Sequence, residues 1–244
     1  MKETPVNALT LALLLSLAAG LSMAAGALIG VQEHIAKSWL EQEVRHGVIA
    51  FGGGALLAAV ALVLVPEAVK HHSAFSATVL FASGGLVFMF IDRALAKRGG
   101  ALSQLLAMLL DFVPEAIALG AALASGGSQA YLLAFLIGMQ NMPEGFNAYR
   151  EIYNSKGNTL SKSRIVLAFA CMALLGPLSA WLGFEILVNQ PFILGGIMLF
   201  ASGGILYLTF QDIAPQVPLE KHWMPAQGAV AGFALGLVGH LLVQ

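Results

Sequence analysis

LLAMLLDFVPEAIALGAALASGGSQAYLLAFLIGMQNMPEGFNAY, residues 105–149, holds two long apolar runs on either side of a polar turn, Ser125-Gly126-Gly127-Ser128. A helix needs about 20 apolar residues to cross the hydrocarbon core of a bilayer, and each run is long enough. Between Gly99 and Tyr149 there is no Lys, Arg or His, yet Asp111, Glu115 and Glu144 fall inside the runs. This pattern predicts two antiparallel membrane helices with a polar site between them.

The same reading extends outward to the whole chain. It predicts an all-α, polytopic membrane protein, one transmembrane domain over 1–244. Eight helices are expected at about 6–31, 46–69, 74–96, 101–125, 129–151, 164–188, 191–216 and 223–243. Composition agrees: 58% of residues are hydrophobic and 10% charged, and mean hydropathy is +0.82. Soluble domains carry roughly 25% charged residues, so lipid must cover much of this surface. Twelve Lys+Arg at a net charge of −1 leave no basic face for a nucleic acid. One cysteine, Cys171, excludes an internal disulfide and a cysteine-based metal site; its apolar neighbours suggest a buried, inert thiol. The apolar stretch Asn7–Val31 is longer than a signal-peptide core and follows Met1-Lys2-Glu3, so it is read as a retained first helix.

Loop charge sets the expected orientation. Connections after odd-numbered helices carry Lys37, Arg45, Arg93, Lys97, Arg98, Arg150, Lys156, Lys162, Arg164 and Lys221; the other side has only Lys2 and Lys70. By the positive-inside rule both termini are extracytoplasmic, in a plasma membrane of the bacterial inner-membrane type. A weak repeat is present: Leu80-Phe81-Ala82-Ser83-Gly84-Gly85-Leu86 returns as Leu199-Phe200-Ala201-Ser202-Gly203-Gly204-Ile205. The second and seventh helices also share a glycine run followed by a proline, Pro66 and Pro215. Two explanations stand: an inverted repeat, or small-residue runs recurring because they let helices pack closely.

Asp111-Phe112-Val113-Pro114-Glu115-Ala116 and Gln140-Asn141-Met142-Pro143-Glu144-Gly145 each set an oxygen side chain at i, a proline at i+3 and a glutamate at i+4. Positions i and i+4 share a helix face. Both motifs are equally far from the turn between Gly127 and Ser128. At about 1.5 Å per residue they meet ~20 Å from it, inside the bilayer. Ionised carboxylates at that depth are costly unless paired, solvated or bound to a metal. Pro114 and Pro143 remove helix N–H groups and are expected to free the Leu110 and Met139 carbonyls, while Gly138 and Gly145 allow close approach. Cation binding by Asp111, Glu115, Gln140 and Glu144 is the expectation; a structural polar cluster is the alternative.

In these residues the chain resembles the ZIP family of divalent metal transporters, whose fourth and fifth helices carry His-Asn-x-Pro-Glu-Gly and His/Gln-x-x-Pro-Glu-Gly. Leu21-Ser22-Met23 with Gly26 and Gly30, Val65-Pro66-Glu67-Ala68, Gly176-Pro177-Leu178 and Leu206–Pro215 extend the likeness. The resemblance implies transport of Zn²⁺, Fe²⁺ or Mn²⁺ by alternating access, a homodimer and no resident cofactor. It maps the primary site onto Asp111, Glu115, Gln140 and Glu144, with Asp111 where the family has His. A second family site would fall on Phe112, Asn141 and Gly176, which cannot rebuild it, so one metal site is expected. All-oxygen donors favour Mn²⁺, Fe²⁺ or even Mg²⁺, although carboxylates also bind zinc.

Other polar residues are assigned lesser parts. Asn141, Gln211 and Asp212 are candidates for the inward path, and Glu67, His71 and His72 for capture at the outer mouth, each against a solvated helix end or loop. Glu33, His34, Arg45 and His46 are expected on a wet surface, Asp92-Arg93 at an interface. His240 is expected to be hydrogen-bonded, and Trp39, Trp181 and Trp223 to be membrane anchors. Two rivals remain: a metal-binding sensor or degenerate member without transport, and an intramembrane hydrolase, for which no His-Glu-x-x-His is present. An enzyme is not expected.

Overall fold

The computed structural model describes residues 5–32, 38–98, 100–155, 159–218 and 223–243. The described residues are helical, with no strand among them. Helix α1 is Pro5–Gln32. Helix α2, Ser38–Ala59, continues through a π turn (Val60–Leu64), an α turn (Val65–Ala68) and a 3-10 turn (Val69–His71). Then come α3 (Ala74–Arg98), α4 (Gly100–Ala124) and α5 (Gln129–Asn154). The predicted sixth span is two helices, α6 (Lys162–Met172) and α7 (Leu175–Glu185). Helix α8, Pro191–Leu208, runs into a π turn (Thr209–Ile213) and a 3-10 turn (Ala214–Gln216), and α9 is Pro225–Val243. Lys2, Glu33, His34, Lys37, Lys156, Lys221 and the Trp39 side chain lie outside the described residues.

Seven helical stretches are long and apolar enough to cross a membrane. The exception is α5, which has the length, 26 residues, but carries Gln140, Asn141, Glu144, Asn147, Arg150 and Glu151. Its hydropathy is spent on the site. Phe75, Phe90, Leu167, Leu178, Phe192, Phe210 and Leu242 stand on the outer face, where an apolar surface needs lipid. Cys171 is there too, exposed and not buried as its neighbours suggested. Trp181 and Trp223 are also exposed.

Helix irregularities differ from the expectation. Both α4 and α5 pass through Pro114 and Pro143 unbroken, so the Leu110 and Met139 carbonyls do not mark helix breaks. The breaks fall at other prolines. Each π turn starts six residues before a proline, Val60 before Pro66 and Thr209 before Pro215, which matches the second and seventh helices in shape. Between α6 and α7 the Gly176 N–H bonds to the Ala173 carbonyl at 3.1 Å, the acceptor that Pro177 cannot serve. Because α2 begins at Ser38, Arg45 and His46 lie inside a helix. They are half-buried, and their Nε and Nδ1 atoms are buried without a hydrogen-bond partner, so they are not the solvated loop residues expected.

Helices pair through glycine. A side chain at Gly26 would run into the Met142 carbonyl and one at Gly145 into that of Met23, which binds α1 to α5. Gly138 makes no such approach; a side chain there would come no nearer than 4.0 Å to Ala19. The two Phe-Ala-Ser-Gly-Gly runs face one another: Gly84 meets the Phe200 carbonyl and Gly203 that of Phe81. Both runs thus serve close packing of α3 on α8. Similar contacts join α2 to α9 (Gly54 on Ala229) and α4 to α7 (Gly120 on Ala180). At the turn end, Ser128 Oγ donates to the Val243 carbonyl at 2.9 Å, so α9 finishes beside the α4–α5 turn.

Candidate metal centre

Four side chains from α4 and α5 meet as two rungs. On one, Gln140 Nε2 donates to Glu115 Oε2 at 2.6 Å. On the other, the Asp111 and Glu144 carboxyl groups lie beside each other. Antiparallel helices folded at Ser125–Ser128 pair residues in this way, 115 with 140 and 111 with 144. The rungs are one helical turn apart, about 6 Å. Glu115 and Gln140 are fully buried and Asp111 is 4% exposed. Asp111 Oδ1 also accepts the Phe112 N–H at 2.9 Å.

No Lys, Arg or His among the described residues neutralises these acids. Glu115 Oε1, Gln140 Oε1 and Glu144 Oε2 are buried without a hydrogen-bond partner. Native proteins leave few buried polar atoms in that condition. The side chains hold one another in pairs: no group of three or more His, Cys, Asp or Glu set to hold a metal ion occurs among the described residues.

Access is one-sided. A cavity of about 90 Å³ reaches Asp111 and Glu144, lined also by Leu56, Asn147, Ile205 and Asp212. A smaller one of about 40 Å³ reaches Glu144 past Gly52, Pro143 and Gln216. Both lie toward the α3–α4 connection, the end with the basic loops. Asn147 Nδ2 there donates to Glu151 Oε1 at 2.7 Å and Gln216 Oε1 at 3.3 Å, and Gln216 Nε2 to the Asp212 carbonyl at 2.9 Å. Toward the α4–α5 turn a separate chamber of about 350 Å³ is lined by Glu67, Lys70, Ser125, Leu133 and Met198. Leu119 and Leu136, one helical turn from Glu115 and Gln140 toward that chamber, are fully buried.

The structure sorts the predicted path residues. Asp212 lines the inner cavity; Gln211 is exposed outside it, since the π turn Thr209–Ile213 sets their directions. Asn141 ties α5 to α1, its Nδ2 donating to the Ala19 carbonyl at 3.0 Å. The outer trio does not gather. Glu67 pairs with Lys70 at 2.5 Å. His71 is exposed, and His72 Nε2 lies 2.9 Å from the Phe192 carbonyl with its ring 4.4 Å from that of Phe192. Asp92 accepts the Tyr207 hydroxyl at 3.0 Å. His240 is half-buried on α9.

Phe112, where the resemblance would put a second site, is fully buried. Its ring tip lies where side chains at Gly20 and Gly176 would otherwise reach, 2.8 and 2.9 Å from their would-be Cβ positions. The slot holds a phenyl ring. Asn147 and Gln216 are the polar residues that sequence reading missed. Asn147 follows Glu144 by three and so shares its face, a signal that was present. Scans against protein-family models and curated proteins find no match for this chain.

Proposed function

We propose that this chain carries divalent metal cations across a membrane, one ion at a time, through a site made by Asp111, Glu115, Gln140 and Glu144. The observation that carries the reading is the meeting of three carboxyl groups and an amide between α4 and α5, with three buried oxygens unpartnered. A divalent cation supplies the positive charge that no basic side chain provides. In this reading the ion takes the place of the Gln140–Glu115 hydrogen bond and draws oxygens of all four side chains to itself. Oxygen donors place Mn²⁺ and Fe²⁺ ahead of Zn²⁺. Phe112 limits the cage to one ion.

The inner cavity and the separate outer chamber support alternating access, with the conformation described here open toward the basic loops. By the positive-inside rule the proposed orientation has that end in the cytoplasm of a bacterial-type plasma membrane and both termini outside. The resemblance to ZIP transporters supports a homodimer as the working unit. We read no catalytic activity and no resident cofactor.

Purified protein in liposomes tests the reading directly. Uptake of Mn²⁺, Fe²⁺ or Zn²⁺ is expected, with a loss of about 100-fold or more in Glu144→Ala, the range seen when a coordinating shell is disrupted. Phe112 in place of a second set of ligands favours one competitor, a membrane sensor that binds metal without passing it. Metal binding to detergent-purified protein with no flux in liposomes would select the sensor.

A further inference from the structure

Ser202 lies on α8, outside the two motifs, and is fully buried. Its Oγ has no hydrogen-bond partner. Serine hydroxyls in helices commonly fold back on a carbonyl one turn earlier, and this chain does so repeatedly. Ser16 bonds the Leu13 carbonyl at 3.0 Å, Ser22 that of Ala19 at 2.6 Å, and Thr209 that of Ile205 at 2.8 Å. Ser83, its counterpart in the repeated run, bonds Leu80 at 2.7 Å. Ser202 makes no such bond, although the Leu199 carbonyl is equally near in sequence.

Its place on the helix gives the reason. Leu194 and Met198 line the outer chamber, while Ile205, Leu208 and Asp212 line the inner cavity. Ser202 is four residues after Met198 and three before Ile205, so it is their neighbour on that face. It stands between the two spaces. Ile205 and Asp111 line the same cavity, and Ser202, three residues before Ile205, and Glu115, four after Asp111, each lie about one turn further toward the opposite end on these antiparallel helices. An ion moving from one space to the other passes this level.

We infer that the Ser202 hydroxyl is a further ligand to the passing cation, offering α8's oxygen on the rung of Glu115 and Gln140. This rests on the carrier reading and adds a third helix to its cage. A hydroxyl binds a cation through its oxygen lone pairs. Before the ion arrives it has no partner to lose.

The test uses full-length protein in liposomes, with Cys171→Ser as background so that no other thiol is present. Ser202→Ala is expected to raise KM for Mn²⁺ uptake about tenfold, as loss of one ligand contact does, without lowering thermal stability. A merely structural serine predicts an unchanged KM: deleting an unsatisfied buried hydroxyl is neutral or stabilising for the fold and touches no ion, so stability is retained on both readings and KM separates them. Ser202→Cys is expected to raise the Cd²⁺-to-Mn²⁺ uptake ratio about tenfold, since thiolate prefers soft ions. Wild-type KM in Ser202→Ala together with an unchanged ratio in Ser202→Cys overturns the inference and leaves the carrier intact. If the parent protein moves no metal, the carrier reading fails and this inference falls with it.

Discussion

Phe112→Ala removes a fully buried ring, and such changes cost about 3–5 kcal/mol. Thermal unfolding in detergent is expected to show that loss, without a gain in bound metal, because neither Gly20 nor Gly176 brings a donor to the space left behind. Gln140→His puts an imidazole among the carboxylates. It should shift competitive uptake toward Zn²⁺ over Mn²⁺ by about tenfold, imidazole being the better zinc ligand; an unmoved ratio would show that Gln140 does not touch the ion. Much of this site was legible in the sequence. Equal spacing from Ser125–Ser128 was enough to set 111 against 144 and 115 against 140, and Phe112 already spoke against a second ion. Gln216 was not legible, because only the turn of α8 near its end brings that side chain to Asn147.

Among the elements, the α1–α5 contact is the most exacting. Gly145→Val forces a branched side chain into the Met23 backbone carbonyl, which cannot step aside as a flexible side chain would. Overpacking of this kind costs about 1–3 kcal/mol and more where backbone must shift. The expected result is a lowered melting temperature and poor recovery as a monodisperse species on gel filtration; wild-type behaviour would contradict the packing described. Hydropathy located the long helices, seven of them apolar enough to cross a membrane, since each is an apolar run bounded by polar or Gly/Pro residues. It did not locate their irregularities. Pro114 and Pro143 looked like kinks and are absorbed, while Pro66, Pro177 and Pro215 accompany the π turns and the α6–α7 break. Proline marks where a helix N–H is missing, but neighbouring helices decide whether the backbone adjusts there.

For the whole molecule, the unequal spaces around the site make a directional prediction. With Cys171→Ser as background, Gln216→Cys is expected to react with a membrane-impermeant thiol reagent added on the basic-loop side. Met198→Cys is expected to react only from the other side. Labelling of both from one face would contradict the two-chamber arrangement. Charge asymmetry in the loops gave the orientation its rationale, whereas which end of the site stands open depends on packing among α2, α4, α5 and α8 and has no sequence signature.

The glycine contacts also constrain the order of assembly. Once α1 has met α5, glycine contacts bring α4 against α7, α3 against α8 and α2 against α9, and these three close like nested brackets with their innermost pair complete first. A ribosome delivers the opening members early and the closing members last. During synthesis the grooved face of α2 therefore waits for the final twenty or so residues, and a chain that stops short of Pro225 leaves the outermost bracket open.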